Sequence, residues 1–308
     1  MFVRNVGRPT REAYGDEILE LGKENPDFYI VDCDIGKSCK TVEFSKQFPR
    51  QHVNVGIAEQ NACGVAAGLA ACGKIPFVTT YAVFGSMRMS EQIRYPKLNV
   101  KIACSHGGLT PANDGASHQG IEDMGILRTI PNMTIVNGCD YYSTRKLVRA
   151  AAYYQGPVYL RFTRDAVPFV YDETEAFEIG KAKVLKDGSD ITIIANGDVM
   201  SRAYEAADLL EEKGISVRLL DMHTIKPLDT ESVLDALKKT GRVITVEDHN
   251  VINGLGSAVC EVAAEAGTGK VIRIGIQDHF GESAPYEKLL DKNGISVDNI
   301  VSKAMKLL

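Results

Sequence analysis

Short, nearly unbroken apolar runs separated by helix-length stretches recur along this chain, and that alternation restricts its fold more than any other feature. FYIVDCDIG, HVNV, FVTTY, VKIACSH, MTIVNG and VYLRFT read as strands in the first half, and ITIIANG, VRLLDMH, VITVEDH and VIRIGI in the second. Runs of this kind belong to strands buried on both faces, the situation in a parallel sheet covered by helices. Thr10 is an N-cap candidate for a first helix with Ala13, Tyr14, Ile18 and Leu21 on one side, ending before Asn25-Pro26. Further helices are expected over 90–94, 143–154, 202–213, 230–239 and 258–265, with two more at the C-terminal end. Between about 168 and 190 the alternation gives way to acidic residues and a GKAK run. The expectation is an α/β protein of two three-layer α/β/α domains with mostly parallel sheets, residues 1–170 and 190–308, joined by a linker at 171–189. A length of 308 residues allows each unit its own core.

Composition narrows the class of function. With 44% hydrophobic and 24% charged residues the chain is ordinary for a globular protein, and its net charge of -5 offers no basis for binding nucleic acid or an anionic membrane. Small anions remain possible ligands, because they need only a few local arginines. The seven cysteines (33, 39, 63, 72, 104, 139 and 260) form no C-x-x-C pair and fall mostly in apolar runs, which reads as reduced thiols in the cytoplasm. The start MFVRNVGRPTREAY has no signal-peptide core, and the small-apolar run at 62–72 is too short to span a bilayer.

Candidate chemistry gathers just after strands, where open parallel sheets bind ligands. HVNVGIAEQ leads into a helix expected from about Gly56, whose Ala, Gly and Cys positions recur at three- and four-residue spacing and allow close backbone approach. Glu59 lies in its first turn, where a carboxylate serves either as a partner of the helix dipole or as a desolvated proton carrier. The loop at 107–120 is rich in Gly, Asn and Asp; His106 and His118 flank Asp114 and could be general acids, metal ligands or surface residues. They lack HExxH spacing and a thiolate partner, so zinc is not expected and no metal ligand is assigned. Arg11, Arg161 and Arg164 stand at element ends, where paired guanidinium donors suit a phosphate; for Arg161 a surface position or a structural pairing is the simpler reading. NGLGSAV at 253–259 lacks the third glycine of a dinucleotide fingerprint and reads as a closely packed helix start.

Taken together and in order, VGIAEQNACGVAAGLA, SHGGLTPANDGASHQGIEDMGILRTIPNM and GPVYLRFTRD resemble the C-terminal half of transketolase, its pyrimidine-binding domain followed by its C-terminal domain. The resemblance covers nearly the whole chain and implies thiamine diphosphate chemistry in carbohydrate metabolism, in the pentose phosphate pathway. Glu59 matches the family's glutamate that hydrogen-bonds N1′ of the aminopyrimidine and favours the imino tautomer, whose 4′ nitrogen removes the thiazolium C2 proton. Tyr81, Phe84 and Met87 match an aromatic pocket around the pyrimidine, Met87 departing from the usual aromatic. His106, Asp114 and His118 match residues around the donor sugar's carbonyl and hydroxyl groups, although the motif between them departs from the family's acid-rich version. Arg11, Ser38 and Arg164 match the phosphate grip, and Asp34 a residue near the cofactor.

Family members hold the diphosphate and a divalent metal through a G-D-G motif followed by an Asn, on a separate domain. Here Gly-Asp occurs in YGDE and NGDV, both without the second glycine. The resemblance therefore implies a C-terminal subunit of a split transketolase, with thiamine diphosphate and Mg2+ or another divalent metal held by an N-terminal partner carrying G-D-G. Self-association of the small-sided helix would give a dimer of heterodimers acting on phosphorylated sugars. The alternatives are the β subunit of a 2-oxo acid dehydrogenase, a deoxyxylulose-phosphate synthase-like subunit and a non-catalytic partner. Phosphate-type residues in RFTR and the DGASHQGIED loop disfavour the first, and the joint presence of Glu59, His106, His118 and Arg164 disfavours the last.

Overall fold

A computed structural model describes residues 2, 4–94 and 98–308. In the first half, β1 (Arg8–Pro9) leads into α1 (Thr10–Glu24) and β2 (Phe28–Asp32), and α2 (Gly36–Cys39) and α3 (Val42–Gln47) precede β3 (His52–Asn54). There follow α4 (Glu59–Ala71), β4 (Ile75–Tyr81), α5 (Ala82–Met87), α6 (Ser90–Arg94), β5 (Lys101–Ser105), α7 (Asp123–Arg128), β6 (Thr134–Asn137), α8 (Tyr141–Tyr153), β7 (Val158–Arg161) and β8 (Ala166–Val167). The second half runs β9 (Lys183–Lys186), β10 (Ile191–Ala195), α9 (Met200–Glu211), β11 (Val217–Asp221), β12 (Thr224–Lys226), α10 (Thr230–Thr240) and β13 (Arg242–Asn250). It closes with α11 (Leu255–Ala266), β14 (Lys270–Ile276), α12 (Tyr286–Lys292) and α13 (Val297–Leu307).

Among the described residues, the first large sheet has the order β12-β6-β7-β5-β4-β2-β3 and the second β14-β13-β10-β11-β9. All neighbours are parallel except the edge strands β12 and β9, so the α/β expectation holds for both halves. Parallel strands place all their carboxyl ends on one edge, and the loops after β2, β4, β5 and β7 come from four adjacent strands. Tyr14, Ile18, Leu21, Phe28, Phe77 and Leu147 pack in one core beneath α1 and α8. On the other face, Ala62, Cys63 and Ala66 of α4 meet Val31 and Val78, and this core continues through Met124 and Leu127 into Ile194, Leu220 and Leu255 of the second half. A third core, with Ile193, Leu219, Ile244 and Leu289, serves the second sheet.

Several boundaries differ from the sequence reading, each for a local reason. Thr10 is the first residue of α1 rather than its cap; Pro9 occupies that position, and the Thr10 hydroxyl is engaged across the chain by Thr163. α4 begins at Glu59, not near Gly56, because Gly56 has a φ of 73° and Ala58 is not helical. α8 begins at Tyr141, before the expected 143, because Asp140 caps it through the Ser143 amide in a reciprocal capping box. Within the expected linker, Lys183–Lys186 pairs antiparallel with β11 as an edge strand. Thr224–Lys226 crosses over from the second half to extend the first sheet beside β6.

Candidate active site

Two strand-end tethers set the geometry of the cluster. Thr10 and Thr163 exchange hydrogen bonds: the Thr10 amide donates to Thr163 Oγ1 at 2.9 Å and the Thr163 amide to Thr10 Oγ1 at 2.7 Å. The residues immediately following, Arg11 on α1 and Arg164 after β7, are thereby held as neighbours. Arg11 Nη1 donates to the Ser38 carbonyl at 3.0 Å, while its buried Nε has no hydrogen-bond partner. Burial, and then the charge of Arg164, push the Arg11 guanidinium below its ordinary value. Arg164 donates to the Pro111 carbonyl at 2.6 Å and lies 3.5 Å from the Asp114 carboxylate. Two adjacent cations with a donor to spare make a site where an anion is favoured.

His106 follows β5 directly and has a φ of 67°, a conformation that turns its ring back over the strand ends. Its ring centroid is 3.9 Å from that of Tyr81, and Nδ1 is 2.8 Å from Ser105 Oγ. Burial, reinforced by Arg11, Arg164 and His118, lowers it to about 3, so the imidazole is neutral near neutral pH. His118 lies 5.9 Å from the Tyr81 ring and 5.6 Å from Phe84, with Nδ1 2.9 Å from Ser117 Oγ. Tyr81 and Phe84, at the end of β4 and in α5, are 5.6 Å apart. Arg11, Ser38, Tyr81, Phe84, His106, Asp114, His118 and Arg164 thus form one continuous group.

Glu59 opens α4 and is only 6% exposed, and its Oε1 accepts from Arg88 Nη1 at 2.9 Å. The Arg88 guanidinium also lies 3.8 Å from the centre of the Phe84 ring, so it links Glu59 to the aromatic group. Sequence reasoning passed over Arg88; its signal was the four-residue spacing from Phe84, which puts both on one helical face. Asp34, with a φ of 66°, accepts from Asn54 Nδ2 at 2.9 Å on the β3 side of the sheet rather than from the group around His106. Met87 is 46% exposed at the end of α5 and is not packed as a buried pocket wall.

The second half grips both ends of the loop between the two histidines, so residues 107–112 and 119–120 are buried while Asn113, Asp114, Ala116 and Ser117 stay exposed. The Leu109 amide donates to Asp248 Oδ2 at 2.8 Å, and Gln119 Nε2 to the Glu282 carbonyl at 2.9 Å. Arg161 is buried beneath: Nη2 donates to the Gly120 and Asp248 carbonyls at 2.8 and 2.9 Å, and Nε to Asp123 at 2.9 Å. The structural pairing read for Arg161 is the one observed, and the surface alternative is not. A side chain at Gly107 would run into the Arg161 guanidinium, and one at Gly108 into Asp248. Burial and the charge of Asp198 push the Asp248 carboxyl up, which limits the negative charge facing Arg161.

A parallel-sheet edge bearing a cationic grip, two histidines and a carboxylate beside aromatic rings defines an α/β enzyme class that handles small anions. Family models assign it further: the transketolase pyrimidine-binding domain matches residues 7–170 and the transketolase C-terminal domain residues 180–300. The chain is 45% identical, over 98% of its length and 96% of the relative's, to a protein of Methanocaldococcus jannaschii provisionally named a transketolase C-terminal section. It is 41% identical to an apulose-4-phosphate transketolase subunit of Phocaeicola vulgatus, covering 97% of each chain. A solved structure described as a split-gene transketolase, inactive beta4 tetramer, superposes with a TM-score of 0.90 at 46% identity, covering 98% of each chain. The chain belongs to the transketolase family, of which it carries the pyrimidine-binding and C-terminal domains.

Proposed function

We propose that this chain is the C-terminal subunit of a two-subunit transketolase, moving a two-carbon ketol unit from a ketose phosphate to an aldose phosphate. The observation that carries the reading is the Arg11–Arg164 pair, two guanidiniums held as neighbours with the Arg11 Nε unpartnered, within the group that contains His106 and His118. A phosphate there relieves the repulsion and takes up the free donor. Ser38, whose carbonyl already orients Arg11, adds a hydroxyl to that grip. The relatives' names point the same way: one is an apulose-4-phosphate transketolase subunit and another, from Clostridium, a 6-deoxy-6-sulfo-D-fructose transketolase subunit, 38% identical over 96% of this chain and 92% of that one. Both names describe sugars with an anionic group.

Thiamine diphosphate, when bound, supplies the electron sink that cleavage of a ketose carbon–carbon bond requires. The residues fit its pyrimidine end, because Glu59 and Phe84 already accommodate a planar nitrogen cation between them in the form of the Arg88 guanidinium. Glu59 would hold a ring nitrogen and share its proton, Tyr81 and Phe84 would pack the ring, and Met87 would border it. Asp34, on the neighbouring loop, would act from the β3 side. Neutral His106 can accept a proton from a substrate hydroxyl or donate a hydrogen bond to a carbonyl, and His118 can do the same from the opposite end of the loop. Asp114, beside Arg164, would orient a hydroxyl near the phosphate.

The diphosphate and its Mg2+ or other divalent metal are assigned to an N-terminal partner carrying G-D-G. Both Gly-Asp aspartates here are already committed: Asp16 to Arg8 and Tyr141, Asp198 to the Tyr286 hydroxyl. A dimer of such heterodimers in the cytoplasm completes the reading. It is tested by mixing the chain with that partner, thiamine diphosphate, magnesium, a ketose phosphate and an aldose phosphate. Transfer is expected with both chains present, falling on the order of a hundredfold or more in Glu59→Gln. Turnover by this chain alone, or full activity of Glu59→Gln, would overturn it.

A further inference from the structure

We propose that Arg88 is a built-in surrogate for the cofactor's aminopyrimidine, and that its guanidinium must leave the space between Glu59 and Phe84 before the ring can enter. The proposal rests on the transketolase reading above. A guanidinium and an aminopyrimidine share the relevant chemistry: a flat, delocalised nitrogen system with N–H donors at its edge and a face that stacks on aromatic rings. Arg88 presents both features at once, an edge donor to Glu59 Oε1 at 2.9 Å and a face 3.8 Å from the Phe84 ring centre. These are the two contacts assigned to the ring, so the guanidinium and the ring compete for them.

There is a physical reason for such a residue. Glu59 is buried at the start of α4, and a buried carboxylate without a partner is costly. Arg88 neutralises it while the half-site is open. The side chain of Arg88 is 46% exposed, whereas that of Glu59 is 6% exposed, so the arginine can swing outward on its flexible stem while the carboxylate stays fixed. Arg88 is the cap residue directly after α5, and its departure leaves the helix carrying Phe84 intact. The apparent affinity for the cofactor is then the intrinsic affinity reduced by the fraction of sites in which Arg88 has moved away.

The test is equilibrium binding of thiamine diphosphate to the complex reconstituted with its partner subunit, by titration calorimetry, for wild type, Arg88→Met and Glu59→Gln, and for the double variant. Methionine keeps an apolar stem and removes the competing plane. Arg88→Met is expected to lower Kd roughly five- to twentyfold and to raise the association rate. In the Glu59→Gln background the same substitution should change Kd less than twofold. Thermal melts of each variant establish that it is folded. An unchanged or weaker Kd in folded Arg88→Met, with wild type binding normally, overturns the surrogate role and leaves the transketolase reading standing. Absence of binding in both wild type and Arg88→Met at saturating cofactor removes the transketolase reading, and the surrogate role with it.

Discussion

At the scale of single residues, the site couples charge to burial in a way that pH can report. His106 is buried at 2% exposure and lowered to about 3, against about 6.5 in an unfolded chain. Between those values the unfolded chain takes up a proton that the folded chain refuses, so stability falls as pH drops from 6.5 toward 3, by at most about 1.4 kcal/mol per pH unit. Asn at 106 tolerates the positive φ and does not titrate. The stability advantage of wild type over His106→Asn should therefore shrink by up to about 2.5 kcal/mol between pH 7 and pH 4.5. Urea unfolding at the two pH values measures it, and an identical difference at both would show that His106 is not held neutral by its surroundings. The residue types of this site were legible in the sequence, since His106, Arg11 and Arg164 stand at or just beyond strand and helix ends and His118 in the Gly-rich loop that follows β5. The Arg88–Glu59 pair was not legible, because it joins elements 29 positions apart and depends on how α4 and α5 pack.

Among the elements, α4 is the most unusual, with Ala62, Cys63 and Ala66 buried and Gly64 and Gly68 on its open side. A methyl group added at either glycine would meet nothing within 4 Å. Helix propensity alone then decides the effect within the chain: Gly64→Ala and Gly68→Ala should each stabilise it by about 0.5–1 kcal/mol, seen as a raised melting temperature. If that bare face packs against another backbone in the assembled enzyme, the same substitutions should weaken association, which sedimentation with and without the partner subunit would detect. Stabilisation with undiminished assembly would exclude α4 from the contact. The helix and its small-residue spacing were readable in advance, although its start was not. A positive φ at Gly56 moved the first turn to Glu59 and so put the carboxylate at the very end of the helix.

On the scale of the whole molecule, the second half acts as the clamp on the loop between the two histidines. Arg161 joins Asp123, Gly120 and Asp248, and Tyr159 donates to the same Asp123 carboxylate at 2.6 Å. Removing one partner of a buried ion pair leaves the other uncompensated, so Arg161→Met should cost about 3–5 kcal/mol in urea unfolding. Adding Asp123→Leu should recover part of that loss, because both charges are then gone. A loss confined to about 1 kcal/mol, or a double variant less stable than either single one by the full sum, would show that the pair acts as two independent surface-like charges.

The sequence by itself determined the class of fold and the inventory of chemistry. Buried strands announce themselves by unbroken apolar runs, and functional loops by the polar and glycine residues at the ends of those runs, both of which are local properties. Only the tertiary structure decided which of those residues meet. The Thr10–Thr163 exchange aligns Arg11 with Arg164, a strand from the second half extends the first sheet, and Asp248 fixes the loop of His106 and His118. Each depends on hydrogen bonds between segments far apart in the chain, whose partners are chosen by packing and desolvation rather than by any local pattern.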